Sequence, residues 1–269
     1  MINKIFDMTV QGSMGAPTLT TYLLDTPEGL LIRERPIVLI CPGGGYNHVS
    51  VREGEPLALQ FMAMGFHAAV LNYSVSPAVY PTQLLELAKA VALLRDRAQE
   101  WHIRKDGLFI QGSSAGGHLA ASFGCFWKKE LFAKEAGDDA EKLRPNGLIL
   151  SYPVITSGEF AHRGSFEMLL GDRNEELSRE MSLEYQVNKD TPKTFLWHTF
   201  EDGAVPVENS LLFVQALRRE KIPVEFHLFP SGGHGLALGN ELTSMEEGKE
   251  IQPQVTAWIA LAGNFIRNL

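Results

Sequence analysis

The chain has 269 residues, 45% hydrophobic and 21% charged, the balance of a globular protein able to bury a sizeable core. A formal net charge of −8 with no basic block argues against nucleic acid or an anionic membrane as a partner. Two cysteines, Cys41 and Cys125, are too few for a disulfide framework and suit a reducing compartment.

The opening stretch, MINKIFDMTVQGS, carries Asp7 and Gln11 where a signal peptide needs an unbroken apolar run. No run of about 18 apolar residues suggests a membrane span. The expectation is a soluble, cytoplasmic protein. Residues 18–25 (TLTTYLLD) alternate as a strand at an antiparallel edge does. Ile37 to Ile40, between Pro36 and Pro42, is a continuous apolar run of the kind buried on both faces of a sheet. Residues 51–64 predict a helix that Gly65 ends, and Phe66 to Tyr73 the next strand. From Thr82 to Trp101, apolar residues recur at three- and four-residue steps with charges on the remaining face, an amphipathic surface helix.

Leu108 to Ile110 predict another strand, followed by Gly112-Ser113-Ser114-Ala115-Gly116 and a small-residue helix. Further strands are predicted at 148–152, 195–198 and 224–229, with helices at 207–220 and near 247–267. Strands alternating with helices predict one α/β domain over 1–269, built on a mostly parallel sheet with helices on both faces. The segment 155–190 is the least regular and predicts a small helical excursion between two strands, a position where lids occur. The apolar C-terminal helix reads equally as core or as a subunit face, which leaves a homo-oligomer open.

G-x-S-x-G between a strand and a helix presents its serine on a sharp, strained turn, and the flanking glycines are needed where a Cβ would clash. Only Ser114 fits, because Ser113 would require glycine at positions held by Gln111 and Ala115. A serine hydroxyl becomes a useful nucleophile only when a base takes its proton and a third group orients that base. With this motif the partners follow in the order serine, acid, histidine. Among the downstream histidines, His227 lies inside a strand pattern and reads as structural. His162 lies in the irregular excursion, where a surface or lid role is expected. His198 closes a strand and is expected to anchor the next loop by hydrogen bonding. His234, in the glycine-rich loop PSGGHGLAL after the last strand, is the expected base. The acid is expected on the loop after FLWH, where Asp202 is favoured and Glu201 is its solvated neighbour. Asp190, Glu184 and Glu208 are the next options. Upstream, Cys41-Pro42-Gly43-Gly44-Gly45-Tyr46 follows a strand, and its glycines let backbone N–H groups approach a substrate closely. A phosphate cradle is the alternative, but no G-x-G-x-x-G or G-K-[ST] accompanies it.

Together these motifs resemble the α/β-hydrolase superfamily, in particular its short-chain esterase/lipase branch with hormone-sensitive-lipase-like and acetylxylan-esterase-like enzymes. The resemblance covers nearly the whole chain. P-G-G-G-Y at 42–46 looks like that branch's H-G-G-G-aromatic loop, and N-Y-S-V-S-P at 72–77 like its Y-R-L-A-P segment. G-S-S-A-G-G-H at 112–118 is similar to the nucleophile turn, D-G-A-V-P at 202–206 to the acid loop, and G-G-H-G at 232–235 to the histidine loop. Pro42 stands where the branch carries histidine, and Ser74 where it carries arginine. The C-P-G-G-G-Y form looks closer to bacterial sugar-ester esterases.

The resemblance implies Ser114 as nucleophile, His234 as base and Asp202 as its orienting acid, with oxyanion donors at the N–H groups of Gly44, Gly45 and Ala115. Tyr46, Asn47 and Phe200 flank these loops and are expected to line the pocket. The expected function is hydrolysis of a small-molecule, short-chain ester through an acyl-enzyme, acetyl groups on sugars included, without cofactor or metal. The alternatives are a small peptidase or amide hydrolase of the same fold and a non-catalytic binding module on this scaffold.

Overall fold

A computed structural model describes residues 1–268. Among them eight strands form one sheet in the order β1-β2-β4-β3-β5-β6-β7-β8. In chain order these are β1 (Ile2–Asp7), β2 (Thr18–Leu23), β3 (Arg35–Cys41), β4 (His67–Asn72), β5 (Ile103–Ser113), β6 (Gly147–Ser151), β7 (Thr194–Thr199) and β8 (Val224–Phe229). β1 and β2 are antiparallel to their neighbours, and β4, β3, β5, β6, β7 and β8 run parallel. The helices are α1 (Glu55–Ala63), α2 (Thr82–Asp96), α3 (Ala115–Phe126), α4 (Glu130–Ala133), α5 (Arg163–Leu170), α6 (Asn174–Leu177), α7 (Glu208–Arg219) and α8 (Trp258–Arg267). This is the α/β-hydrolase fold. None of the helices among the described residues is long and apolar enough to cross a membrane.

The unbroken apolar runs of the central strands reflect burial on both faces. Along β3, Ile37, Leu39 and Cys41 join one core with α2, α3 and α7. Val38 and Ile40 join a second core with α1 and α8. That alternation is the two-residue period of a strand. The excursion between β6 and β7 carries α5 and α6, and its Phe166, Leu169, Leu170 and Met181 are buried in the first core. It is therefore seated on the sheet's helical layer rather than hanging free.

Several details differ from expectation, among them the start of β5 at Ile103 rather than Leu108. β2 is not an edge strand, because β1 lies outside it. β1 has almost no buried face, so its pattern carried no signal; its backbone pairing with β2 and the packing of Phe6 on Trp101 hold it in place. The helix expected from 51 starts at Glu55, after a 3-10 turn over Val51–Glu53. α2 ends at Asp96, and the chain then turns Trp101 into the core. α2 also buries Glu86 completely, where a solvated charge was expected, because Ser13 and Ser74 hydrogen-bond its carboxylate. The last helix begins at Trp258, since Gly248 at φ +69° and Pro253 break the chain before it.

Candidate active site

The ends of β3, β5, β7 and β8 that follow the strand direction carry, in turn, the glycine loop, Ser114, Asp202 and His234. Parallel strands put all four carboxyl ends on one edge of the sheet, so residues far apart in sequence converge there.

Ser114 sits between β5 and α3 at φ 53°, ψ −119°, a strained conformation for a residue with a side chain. The flanking glycines give the turn its room. A Cβ at Gly112 would lie 2.2 Å from the Gly116 carbonyl oxygen, and one at Gly116 only 2.0 Å from that of Cys41. Ser114 is held by its own N–H, which donates to Ser151 O at 3.0 Å, and its carbonyl accepts from Val154 N–H at 3.1 Å.

The Ser114 Oγ lies 2.7 Å from His234 Nε2, and His234 Nδ1 lies 2.7 Å from Asp202 Oδ2. Because the carboxylate can only accept, Nδ1 carries the proton and Nε2 offers its lone pair to the serine hydroxyl. Asp202 has no exposed side-chain surface. Its Oδ1 accepts from the N–H groups of Ala204 (3.0 Å) and Val205 (2.9 Å), and His198 Nε2 approaches Oδ2 at 3.2 Å. Burial pushes this carboxyl up, yet the hydrogen bonds from His198, His234 and Val205 outweigh it and hold Asp202 below the ordinary carboxylate range. His198 meets acceptors at Nε2 (Asp202, and Val205 O at 3.0 Å), so its Nδ1 accepts from the Ser210 hydroxyl at 2.6 Å. It anchors the acid loop.

The glycine loop bends through φ +128° at Gly44 and +63° at Gly45, followed by Tyr46 at +59°. A Cβ at Gly44 would lie 2.0 Å from His48 O, so glycine is required there on both counts. The Gly44 and Gly45 N–H groups find no hydrogen-bond acceptor among the described residues. Ala115, first residue of α3, has no intrahelical acceptor for its own. Gly43 N–H, by contrast, donates to Glu53 Oε2 at 2.8 Å. Glu53 is buried and also accepts from the Tyr152 hydroxyl. With Pro42 in place of a histidine, the loop is braced by Glu53 and by Tyr73, whose hydroxyl donates to Pro42 O at 2.7 Å.

A cavity of about 510 Å³ opens above these groups, with Gly44, Gly45, Ser114 and His234 in its wall. Of the three residues expected to line it, only Asn47 does. Tyr46 is buried beneath the loop, its hydroxyl 2.9 Å from His118 Nδ1, because its positive φ turns the ring inward. Phe200 is 68% exposed and outside the wall. His48, Ser50, Arg52, Glu53 and Met168, which no motif marked, also line the wall, and His162, expected at the surface or in a lid, reaches it from the excursion. Arg52 also ties the histidine loop down, donating to Gly235 O at 2.9 Å and to Thr243 O. The pair Arg52-Glu53 follows the glycine loop in a single 3-10 turn, too short for any periodicity to mark a charge as buried. Glu201 accepts from Gly232 N–H at the surface, and His227 pairs with Glu225 on β8.

The sequence model of the BD-FAE family matches residues 31–217. The chain is 40% identical over 216 residues to endo-1,4-beta-xylanase B of Butyrivibrio fibrisolvens, covering 77% of this chain and 33% of that protein. It is 28% identical over 232 residues to the acetylxylan esterase of Xylanibacter ruminicola, covering 84% and 45%. The chain thus spans between a third and a half of the length of these curated relatives. Among solved structures, the acetyl ester-xyloside bifunctional hydrolase from Caldicellulosiruptor lactoaceticus matches with a TM-score of 0.85 at 34% identity, over 98% of this chain and 96% of that one. The carboxylesterase Cest-2923 from Lactobacillus plantarum matches with a TM-score of 0.87 at 29% identity, over 100% and 98%.

Proposed function

The chain belongs to the BD-FAE family, and from that premise we propose that it is a serine carboxylic ester hydrolase acting on short acyl esters, acetyl groups on sugars among them. The observation that carries this reading is the hydrogen-bonded line Ser114–His234–Asp202 beside backbone N–H groups that have no acceptor of their own. Ser114 Oγ attacks the ester carbonyl while His234 Nε2 takes its proton. Asp202 keeps the imidazole in the required tautomer and stabilises the imidazolium. The N–H groups of Gly44, Gly45 and Ala115 receive the oxyanion, each such donor being worth about 3 kcal/mol in the transition state. His234 returns the proton to the departing alcohol, and water then repeats the sequence on the acyl-enzyme. The names of the curated and structural relatives support ester chemistry, and those that mention xylan or xylosides support a sugar alcohol.

The test is Ser114→Ala. It is expected to lower kcat on p-nitrophenyl acetate by about 10⁴- to 10⁶-fold and to abolish labelling by a fluorophosphonate, with the fold intact. Turnover retained in that variant would overturn the assignment.

A further inference from the structure

His162 immediately precedes α5, half-buried, with its ring in the wall of the cavity that also holds Ser114 and His234. Its Nδ1 lies 2.8 Å from Oγ of Ser165, a residue 2% exposed, so one ring nitrogen is tied to the helix. Nε2 makes no hydrogen bond to another described residue. The pair sits against the glycine loop, since a Cβ on Gly45 would be 3.9 Å from Ser165 Oγ. Burial pushes the imidazole's pKa down and proximity to His234 acts in the same direction, while the Asp202 carboxylate acts against them. The proton transfers of the proposed reaction run through His234 and leave His162 unused. What remains is an oriented imidazole with one nitrogen open, in a cavity large enough for a small ester.

We propose that His162 is a specificity-determining residue whose open Nε2 hydrogen-bonds a hydroxyl on the alcohol part of the ester, favouring polyhydroxylated alcohols over alcohols that lack a second oxygen. The inference rests on the reading of the site as an ester hydrolase. The same wall carries Asn47, Ser50 and Arg52, groups that also suit a hydroxylated ligand. The excursion is the right element to supply such a residue. It is anchored below by His118, whose Nε2–H donates to Met181 O at 2.8 Å, and next to His162 by the buried Ser165 and Phe166.

The experiment compares two acetates of similar ring size, an O-acetylated methyl xyloside and cyclohexyl acetate, in wild type, His162→Ala and His162→Gln. Loss of one neutral hydrogen bond is worth about three- to tenfold. The ratio of kcat/KM for the xyloside ester over cyclohexyl acetate is expected to fall by that factor in His162→Ala, mainly through KM. His162→Gln, whose amide keeps a donor and an acceptor, is expected to recover at least half of the loss. A ratio unchanged in both variants, with wild type active on both esters, would overturn the proposal. So would a wild type that shows no preference for the hydroxylated ester. If wild type turns over neither ester, the ester-hydrolase reading itself fails and the proposal falls with it. If the Ser114→Ala variant hydrolyses both esters like wild type, only the assignment of Ser114 as nucleophile fails, and either result is distinguishable from an unchanged ratio.

Discussion

The Tyr152 hydroxyl donates to Glu53 Oε1 at 2.6 Å, and through this contact the glycine loop and the histidine loop share one brace. The other carboxylate oxygen of Glu53 holds Gly43 N–H, and the Tyr152 oxygen accepts from Ala237 N–H at 2.9 Å. The Tyr152 ring meets the His234 ring edge-on with centroids 5.1 Å apart. Burial raises the Tyr152 pKa well above its ordinary value, so the hydroxyl remains a donor at any working pH. Two strands' worth of loop are thus positioned by one buried carboxylate.

Glu53→Ala would leave Gly43 N–H and the Tyr152 hydroxyl without their acceptor. Each unsatisfied buried donor costs about 1–3 kcal/mol, so a clear fall in thermal midpoint is expected. A drop in kcat of about 10- to 100-fold is expected with it, because the Gly44 and Gly45 donors lose their register. Glu53→Gln, which keeps an acceptor, should fall between. Wild-type kcat in a folded Glu53→Ala variant would show that the glycine loop holds its shape without this carboxylate.

Asp202→Asn keeps the shape of the acid and removes its charge. The amide then competes for the His234 proton position and favours the wrong tautomer, so kcat is expected to fall on the order of 10⁴-fold with KM little changed. His198→Ala removes only one of the contacts to Asp202, whose bonds from Ala204 and Val205 N–H persist. Its effect should be smaller by at least tenfold. Steady-state kinetics on one ester decides the ranking, and equal losses in the two variants would contradict it.

Two buried histidines predict the acid side of the stability profile. Burial pushes both His67 and His118 down to about 4 from an ordinary value of 6.5. In each, a ring nitrogen accepts a hydrogen bond that protonation would destroy, from Leu24 N–H at 3.1 Å in His67 and from the Tyr46 hydroxyl in His118. The folded values lie below the unfolded ones. The stability from each neutral ring is therefore complete above pH 6.5 and is lost as pH falls toward 4. The slope approaches about 1.4 kcal/mol per pH unit for each histidine. Urea unfolding at pH 7, 6 and 5 should show it, with a shallower slope for His118→Gln. A flat profile in wild type would refute the assignment.

The tight turn at the serine predicts a steep contrast between two glycines. Gly116→Ala places a methyl 2.0 Å from Cys41 O, a backbone atom at the end of a central strand that cannot step aside. A loss of about 3 kcal/mol or more is expected. Gly203→Ala meets nothing within 4 Å and its φ is not positive, so a change within about 0.5 kcal/mol is expected. Thermal unfolding of the two purified variants is the measurement.

The pattern of residues along the chain was enough to determine the α/β class and the parallel core. Continuous apolar runs such as Ile37 to Ile40 occur when both faces of a strand are covered, and that reading is local. The order of Ser114, Asp202 and His234, each on a loop after a predicted strand, was equally local, because glycine and proline mark such turns chemically. The fold alone decided what depends on which way a side chain points after a non-repeating turn. Tyr46 went under the glycine loop instead of into the cavity. Phe200 went to solvent, and Arg52 and Glu53 left a short 3-10 turn to brace two loops at once. His162 reached the cavity from an excursion with no period to read. β1 was silent for a related reason: an edge strand held by backbone pairing leaves little trace in its side chains. Periodicity reports burial averaged over an element, whereas an active-site wall is assembled from single residues whose neighbours are a hundred positions away. Only the closed packing of the sheet brings those neighbours together.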